Sequence, residues 1–140
     1  MANLTNKEIV AGFFEIYNTK DYSTIYQFVA ANYFDHSLPE VRSAAAAIAI
    51  LESVHQSFPD IQVKIDDLIE EDNKVVFRGH FTASHLGEFR GIPPTGNRIQ
   101  FEALEIFKVE NQKITESWGY WPMSNILDQI QARSVSKNDD

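Results

Sequence analysis

The side chains that could carry out chemistry in this chain are histidines, carboxylates and hydroxyls, because the sequence contains no cysteine. That absence excludes disulfides, thiolate metal sites, iron–sulfur clusters and a cysteine nucleophile. The four histidines are His36, His55, His80 and His85. Their spacing contains neither a helical i, i+4 pair nor a His-x-His or facial-triad pattern, so we expect no metal site. A serine nucleophile on a strand–turn–helix elbow is not indicated either.

Arg78 and His80 alternate onto one face of a predicted strand, opposite apolar residues. If this polar face lines a cavity, the Arg78 guanidinium could bind a carboxylate or polarise a carbonyl. The alternative for Arg78 is a cross-strand ion pair with Glu102 or Glu105. His80 carries the same two interpretations, as a cavity residue or as a surface histidine.

The composition is that of a folded, acidic protein. The chain has 140 residues, 44% of them hydrophobic, with 10 Phe, 5 Tyr and 2 Trp, so it can form a hydrophobic core without a disulfide or a metal. Its 20 acidic and 12 basic residues give a net charge of −8. Nucleic acids and anionic membranes require a basic surface, so neither is expected as a partner. The longest apolar run, residues 44–51, is too short to span a membrane, and no signal peptide is evident; we therefore expect a cytoplasmic protein.

Hydrophobic periodicity predicts helices in the first half of the chain and strands in the second. The first predicted helix is capped by Asn3 or Thr5 and runs to Tyr17, and two more are predicted at residues 22–29 and 41–57. The predicted strands are 61–66, 75–84, 99–109 and 113–121. A short amphipathic segment follows at 125–132. Pro122 ends the last strand, because proline cannot donate to a central ladder. Helices followed by strands with hairpin-length connections indicate an α+β domain with an antiparallel sheet.

We expect residues 1–133 to form a single domain, because no repeat, linker or change of composition divides them. Residues 134–140 are expected to be disordered. A curved sheet wrapped around the N-terminal helices would form a cone, or α+β barrel, and such cones commonly contain a pocket.

A glycine- and proline-rich loop carries a specific resemblance. Residues 85–96 read HLGEFRGIPPTG, which resembles the H-x-G-E-F-x-G-I-P-P-T-G loop of the SnoaL-like polyketide cyclase family, in the nuclear transport factor 2-like superfamily. Further family motifs match in order at residues 13–18, 33–36, 58–60, 75–78, 113–118 and 127–130. The resemblance covers about residues 5–132 and is specific for the fold and the family.

The resemblance implies a homodimer through the outer face of the sheet and a cofactor-free reaction. The family's cyclases close a ring in aromatic polyketide biosynthesis by intramolecular aldol condensation. Their base is an Asp four residues after the Trp of an E-x-W motif. Here that Trp is Trp118 and the position of the Asp is occupied by Pro122, and residues 117–127 contain no acidic residue at all. Another group must therefore replace the base if this chain catalyses the family reaction.

The same resemblance suggests which residues line the pocket. His36 matches a pocket-lining histidine and is our first candidate for the base, the alternative being a structural histidine; Arg78 is the candidate partner for a carbonyl or carboxylate. The other predicted ligand-binding residues are Phe14, Tyr17, Tyr33, His80, His85, Glu102, Trp118 and Pro122. Trp118 is expected to be a pocket wall and Trp121 a dimer contact, because alternation puts them on opposite faces of the strand. His85 is expected to hold the loop that closes one end of the cone.

Three functions are compatible with the sequence. The leading one is a polyketide or ester cyclase that binds a small apolar ligand, polycyclic ligands included, and works by acid/base chemistry without a cofactor. The second is a non-catalytic module that binds a small molecule or another protein. The third is an isomerase or an epoxide-opening enzyme whose acid stands at a new position, such as Glu102.

Overall fold

The computed structural model describes residues 3–133. The helices are α1 (Asn6–Thr19), α2 (Ile25–Phe28, entered through a 3₁₀ turn at Tyr22–Thr24), α3 (Ala44–Ser57) and α4 (Met123–Gln131); the strands are β1 (Val29–Asp35), β2 (Gln62–Glu71), β3 (Lys74–Ser84), β4 (Arg98–Glu110) and β5 (Lys113–Tyr120). The prediction of disorder for 134–140 lies outside the described residues. In the described part of the chain, no helix is both long and apolar enough to cross a membrane.

Helix α1 begins with a capping box. The Thr5 hydroxyl accepts a hydrogen bond from the Glu8 backbone N–H at 3.1 Å, and the Glu8 carboxylate accepts one from the Thr5 N–H at 2.8 Å. The two bonds satisfy backbone donors that have no partner within the helix. The helix ends at Lys20, which has a left-handed φ of 61°. Its buried stripe faces the sheet, where α1 packs on β2, β3 and β5.

The five strands form one curved, unclosed sheet in the order β1-β5-β4-β3-β2. The pairs between β2, β3, β4 and β5 are antiparallel, as predicted, whereas β1 pairs with β5 in parallel. The sequence predicted four strands and placed residue 29 at the end of a helix, so β1 is a correction. A parallel partner cannot be joined by a hairpin, and β1 and β5, although adjacent in the sheet, are separated in sequence by all the other strands.

One face of the sheet, the inner face, is covered by the helices. It carries a continuous row of buried aromatic side chains from β3 and β4, namely Phe77, Phe81, Phe101 and Phe107. Phe14 of α1 stacks on Phe77 with their ring centroids 3.6 Å apart. These contacts form the hydrophobic core, and the opposite, outer face of the sheet is left to solvent.

His55 fastens α3 to the N-terminal segment. Its Nδ1 accepts a hydrogen bond from the Tyr22 hydroxyl at 2.7 Å, and its Nε2 donates to the Tyr17 carbonyl at 2.9 Å. Both ring nitrogens are thereby satisfied in a buried setting. His55 therefore has a structural role and holds α3 against the N-terminal segment.

Candidate functional site

A cavity of about 700 Å³ lies between the inner face of the sheet, α1, α3 and the loop at residues 86–97; we call it the inner cavity. Its apolar walls include Phe13, Tyr17, Leu51, Val54, Phe89 and Trp121. Its volume is within the range of small-molecule sites, about 300–1,000 Å³. The walls come from three helical and loop elements and from the sheet, so the fold itself creates the space.

Glu105 of β4 is a carboxyl group inside this cavity. It is paired across the ladder with Gly119 of β5, and the Trp121 indole N–H donates to Glu105 Oε2 at 3.3 Å. A Cβ on Gly119 would lie 2.7 Å from Glu105 Oε1, so the glycine makes room for the carboxyl group. Burial raises the pKa of Glu105 to about 8, the Trp121 hydrogen bond acts to lower this pKa, and the negative charge of Asp35 raises it. At neutral pH Glu105 is therefore mostly a neutral acid.

A second carboxyl group, that of Asp35 at the end of β1, lines the same cavity. Its Oδ1 accepts hydrogen bonds from the Ser37 N–H at 2.9 Å and from the Ser37 hydroxyl at 2.6 Å. The Gly119 N–H donates to the Ser37 hydroxyl oxygen at 2.8 Å. This chain of bonds fixes Asp35 against β5.

Two tyrosines complete the polar part of the cavity. Burial raises the pKa of Tyr17 well above its ordinary value, and the charges of Glu105 and Asp35 raise it further. Burial also raises the pKa of Tyr33, whose hydroxyl is hydrogen bonded to that of Ser117. Both phenols therefore stay neutral and can act as hydrogen-bond donors.

Four of the predicted site residues, one of them the candidate catalytic Arg78, lie on the outer face and not in the inner cavity. Arg78, His80, Glu102 and Trp118 alternate with the buried side chains of β3, β4 and β5. The assignment of the two tryptophans is thus reversed: Trp121 lines the inner cavity and Trp118 lies outside. Alternation shows which residues share a face but does not show which face is the inner one.

The Arg78 side chain belongs to an exposed ion-pair network. Its Nε donates to Asp67 at 2.7 Å and its Nη1 to Glu102 at 2.8 Å, so the cross-strand ion pair is the interpretation that the geometry supports. His80 Nε2 lies 3.2 Å from Glu102, and its Nδ1 is bonded to Asp66. Ligand atoms of Asp66, His80 and Glu102 lie within 4.8 Å of one another. The carboxylates of Asp66 and Glu102 already form ion pairs with Arg78.

His36 follows β1 directly and also points away from the inner cavity. Its Nε2 lies 2.8 Å from Glu116 Oε1, and its ring stacks on Trp118 with the centroids 4.6 Å apart. The hydrogen bond from His36 is the main cause that lowers the pKa of Glu116. His36, Trp118 and Tyr120 line an outer hollow of about 380 Å³, which shares Ser37, Gly119 and Trp121 with the inner cavity.

Of the remaining predicted residues, some line the cavity and the others stabilise the elements around it. Tyr17 and Tyr33 line the cavity, whereas Phe14 lies in the core and its neighbour Phe13 reaches the cavity instead. His85 is fully buried, its Nδ1 accepts a hydrogen bond from the Thr95 N–H at 3.2 Å, and its backbone N–H donates to the Asn97 carbonyl at 2.9 Å. It therefore holds the loop at residues 86–97. Pro122 ends β5 as predicted and caps α4, where its carbonyl accepts from the Ile126 N–H.

The model of the SnoaL-like polyketide cyclase family matches residues 7–130 of the chain. The chain belongs to this family. No curated protein sequence matches it. The family match covers all five strands and the inner cavity, and it agrees with the resemblance found in the loop at residues 85–96.

Solved structures share the fold over nearly the whole chain. TsrD from Streptomyces laurentii is 22% identical, with a TM-score of 0.84 over 91% of this chain and 95% of that one. A candidate polyketide cyclase from Bacillus cereus is 26% identical, with a TM-score of 0.78 over 90% of this chain and 80% of that one. AclR from Streptomyces galilaeus, named as a candidate hydroxylase, is 25% identical, with a TM-score of 0.80 over 95% of this chain and 85% of that one. The fold is therefore the α+β fold of the nuclear transport factor 2-like superfamily.

Glu105 and Asp35 are the cavity groups that the sequence analysis did not select. In β4 the buried positions alternate through Ile99, Phe101, Ala103 and Phe107, and Glu105 falls in the same phase. A carboxyl group at a core-facing strand position is a signal that could have identified it. Asp35 gave no comparable signal, because the strand that carries it was not predicted.

Proposed function

We propose that this family member closes a ring in a small, largely apolar ketone by cofactor-free acid/base chemistry in the inner cavity. Glu105, and not a residue at position 122, supplies the acid in this proposal. The observation that carries it is a half-buried carboxyl group with a raised pKa that faces a cavity of small-molecule size.

A neutral carboxyl group at this place can stabilise the oxyanion that develops on a substrate carbonyl. A preorganised donor of this kind in a water-poor site is worth about 10²–10³ in rate. Trp121 is bonded to Glu105 and directly precedes Pro122. The carboxyl group thus stands beside the end of β5 although it comes from β4, and it supplies an acid close to the position that the family resemblance assigns to the base.

The cavity walls indicate the class of ligand. Aromatic and aliphatic side chains alternate with carboxyl, hydroxyl and amide groups around the cavity, which suits a molecule with an apolar body and several oxygen atoms. Tyr17 and Tyr33 are neutral donors that could orient those oxygens. Arg90, on the loop at the cavity's edge, is the one basic residue among the described cavity-lining side chains, so the deep part of the site suits a neutral ligand.

A binding module without catalysis is the second candidate, and the observation that favours it is Pro122. The position that the family resemblance assigns to the base carries neither a proton acceptor nor a backbone N–H. This alternative predicts that a ligand is retained in the cavity without turnover. An isomerase or epoxide-opening activity is a third outcome, because the same Glu105 acid would serve it.

The experiment separates binding from turnover with a tryptophan reporter. Trp118→Phe leaves Trp121 as the single tryptophan. Trp121 borders both the inner cavity and the outer hollow, whereas Trp118 borders only the hollow, so quenching of Trp121 without quenching of Trp118 reports a ligand in the inner cavity. This variant is titrated with an aromatic polyketide methyl ester, and ring closure is followed by absorbance and product mass. We expect quenching together with a rate above that of buffer. Trp121→Phe, which keeps only the outer Trp118, is the matched control and is expected to show no quenching.

Variants then assign the acid. Glu105→Gln is expected to lower kcat by about 10²-fold, as for loss of one oxyanion donor, while His36→Ala and Arg78→Ala keep kcat within twofold. Quenching without any turnover would support the binding module instead. A loss of kcat in His36→Ala that equals the loss in Glu105→Gln would overturn the choice of Glu105.

We also propose that the protein is a homodimer through the outer face of the sheet. Leu104, Ile106 and Tyr120 are 51%, 37% and 72% exposed there, and Leu104 is the cross-strand partner of Tyr120. Exposed apolar neighbours on a sheet face are typical of a protein interface. The cytoplasmic location and the absence of nucleic-acid, membrane and cofactor partners stay predictions.

A further inference from the structure

We propose that Asp35 is the proton acceptor that works with Glu105 in the inner cavity, so that the site acts on a ketone with a proton on the carbon next to its carbonyl. This inference rests on the proposed function and names the chemistry of its substrate. It assigns a base to a family member that has proline at the position of the family's base.

The sheet places the two carboxyl groups on the same face. Asp35 pairs with Ser117 across β1 and β5, and Glu105 pairs with Gly119 across β4 and β5. Paired residues point to one side of a sheet, and residues two apart in a strand do so as well. Asp35 and Glu105 therefore both face the cavity from the two sides of β5.

A ligand can lie between these groups. Strands β1 and β4 are two strand spacings apart, which is about 10 Å. The residue of β5 that pairs with Glu105 is Gly119, which has no side chain to fill the interval. Asp35 and Glu105 are thus placed to contact one substrate from two directions.

The surroundings of the two groups differ. Asp35 Oδ1 accepts two hydrogen bonds from Ser37, which fix the orientation of the carboxyl group. Among residues 3–133, no donor is bonded to Asp35 Oδ2, which leaves that oxygen available to a substrate. Glu105 is half-buried, and desolvation and then the negative charge of Asp35 raise its pKa to about 8. A pair of carboxyl groups in different states is the arrangement that provides one base and one acid.

The other titratable groups that line the cavity suit the role of base less well. Tyr17 and Tyr33 have raised pKa values and stay protonated. Glu88 and Arg90 lie on the loop and are exposed to solvent. Asp35, at the end of β1, is a cavity carboxyl group whose orientation is fixed by hydrogen bonds from Ser37.

The reaction can be written with every proton accounted for. The Asp35 carboxylate takes the proton from the carbon next to the carbonyl, the C–H electron pair forms the C=C bond of an enol, and the carbonyl oxygen takes the proton of Glu105. The enol carbon then bonds to a second carbonyl carbon of the same substrate. That carbonyl oxygen takes the proton from Asp35, and Glu105 recovers its proton from the enol oxygen. Both residues return to their starting states, and the product is an isomer of the substrate.

The test uses 2-tetralone in D₂O, because loss of its α-proton NMR signals measures proton removal without requiring ring closure. We expect the full-length protein to accelerate this exchange and Asp35→Asn to lower the catalysed rate by at least about 10²-fold, the usual effect of a lost general base. Binding of 2-tetralone, measured by Trp121 fluorescence in the Trp118→Phe background, is expected to change by less than about threefold. Glu105→Gln is expected to lower the rate less and to remove its decline above about pH 8, because Gln does not titrate.

A second variant distinguishes a base from a structural residue. Ser37→Ala keeps the carboxylate of Asp35 but removes its hydroxyl donor. Because the Ser37 hydroxyl orients Asp35 Oδ1, we expect Ser37→Ala to lower kcat for exchange while KM for 2-tetralone stays within about threefold, whereas a merely structural role of Asp35 predicts no separate fall in kcat. Asp35→Glu, which retains a carboxylate, is expected to recover part of the exchange rate.

The outcomes separate this inference from the proposed function. If 2-tetralone binds and exchanges equally fast with Asp35→Asn, the role of Asp35 is overturned and Glu105 remains the proposed acid. If 2-tetralone neither binds nor exchanges with the unmodified protein, the proposed function fails and this inference fails with it. Exchange that Asp35→Asn abolishes, with binding retained, supports both.

Discussion

The indole nitrogen of Trp121 donates a hydrogen bond to the carboxyl group of Glu105 over 3.3 Å. Trp121 also packs against Phe81 and Phe101, with ring centroids 4.8 Å and 5.0 Å away. The aromatic core therefore determines where this donor stands. The position and protonation of the cavity's acid consequently depend on the residue that precedes Pro122.

Trp121→Phe should raise the pKa of Glu105 above its value of about 8. The reason is that the indole hydrogen bond lowers this pKa, so its removal leaves burial and the charge of Asp35 less opposed. Carbon-13 NMR of the glutamate side chains, with Glu105→Gln used for assignment, measures the shift. Trp118→Phe is the matched control and should leave the midpoint unchanged, because Trp118 lies on the outer face. An equal shift in both variants would contradict the assigned contact.

Stability should fall with rising pH because of Glu105. Its pKa is about 8 in the folded protein against 4.5 in the unfolded chain, so the folded state binds the extra proton between these values. The stability linked to this group is fully present below about pH 4.5 and is lost as the pH rises towards 8. The contribution of this group to the free energy of unfolding is at most about 5 kcal/mol, and water in the cavity reduces this contribution.

Glu105→Gln isolates that contribution, since its amide does not titrate. Urea unfolding at pH 5, 7 and 9 should show a smaller loss of unfolding free energy in Glu105→Gln than in the unmodified protein. The difference between the two proteins should grow from pH 5 to pH 9. Glu102→Gln, an exposed glutamate on the same strand, is the control for a general change of charge. Parallel pH profiles for the unmodified protein and Glu105→Gln would refute a raised pKa.

Local sequence patterns were sufficient to predict most strands of the sheet. The strand of Val75, Phe77 and Phe81 has the predicted buried face, and the predicted Asn111–Gln112 turn has φ of 50° and 68°, as a two-residue hairpin turn requires. Such features depend on neighbours in sequence, which is why periodicity reveals them.

The candidate site depended on contacts that periodicity does not contain. Strand β1 forms through its parallel pairing with β5, so neither Asp35 nor its place beside the cavity was predicted. His36 was assigned to the pocket from the family motif, yet it follows that unpredicted strand and points towards Glu116. Alternation placed Arg78 on the face of β3 opposite the apolar residues, as in the structure. It did not show whether that face lines the cavity, because this depends on the side of the sheet on which the helices pack.

The dimer proposal predicts a mass of about twice the 16.0 kDa of one chain. Leu104→Glu places a charge at the centre of the apolar patch, beside Tyr120, and should shift the mass measured by analytical ultracentrifugation to that of a monomer at micromolar concentration. Leu86→Glu is the control, because Leu86 is 54% exposed but lies on the loop. A monomeric mass for the unmodified protein would rule out the dimer.

Gly119→Ala should damage the cavity chemistry while the fold is retained. The added Cβ would lie 2.7 Å from Glu105 Oε1, and because that atom is the end of a flexible side chain, the carboxyl group can move away without a shift of the backbone. We expect a thermal unfolding midpoint within a few degrees of the unmodified protein, together with a loss of 2-tetralone exchange of about tenfold or more, as misplacement of a catalytic group by about 1 Å can cause. Gly91→Ala is the matched glycine control: no atom stands within 4 Å of its Cβ, so it leaves Glu105 untouched, although its φ of 81° disfavours alanine. Exchange that survives in Gly119→Ala and fails in Gly91→Ala would locate the important group in the loop and not at Glu105.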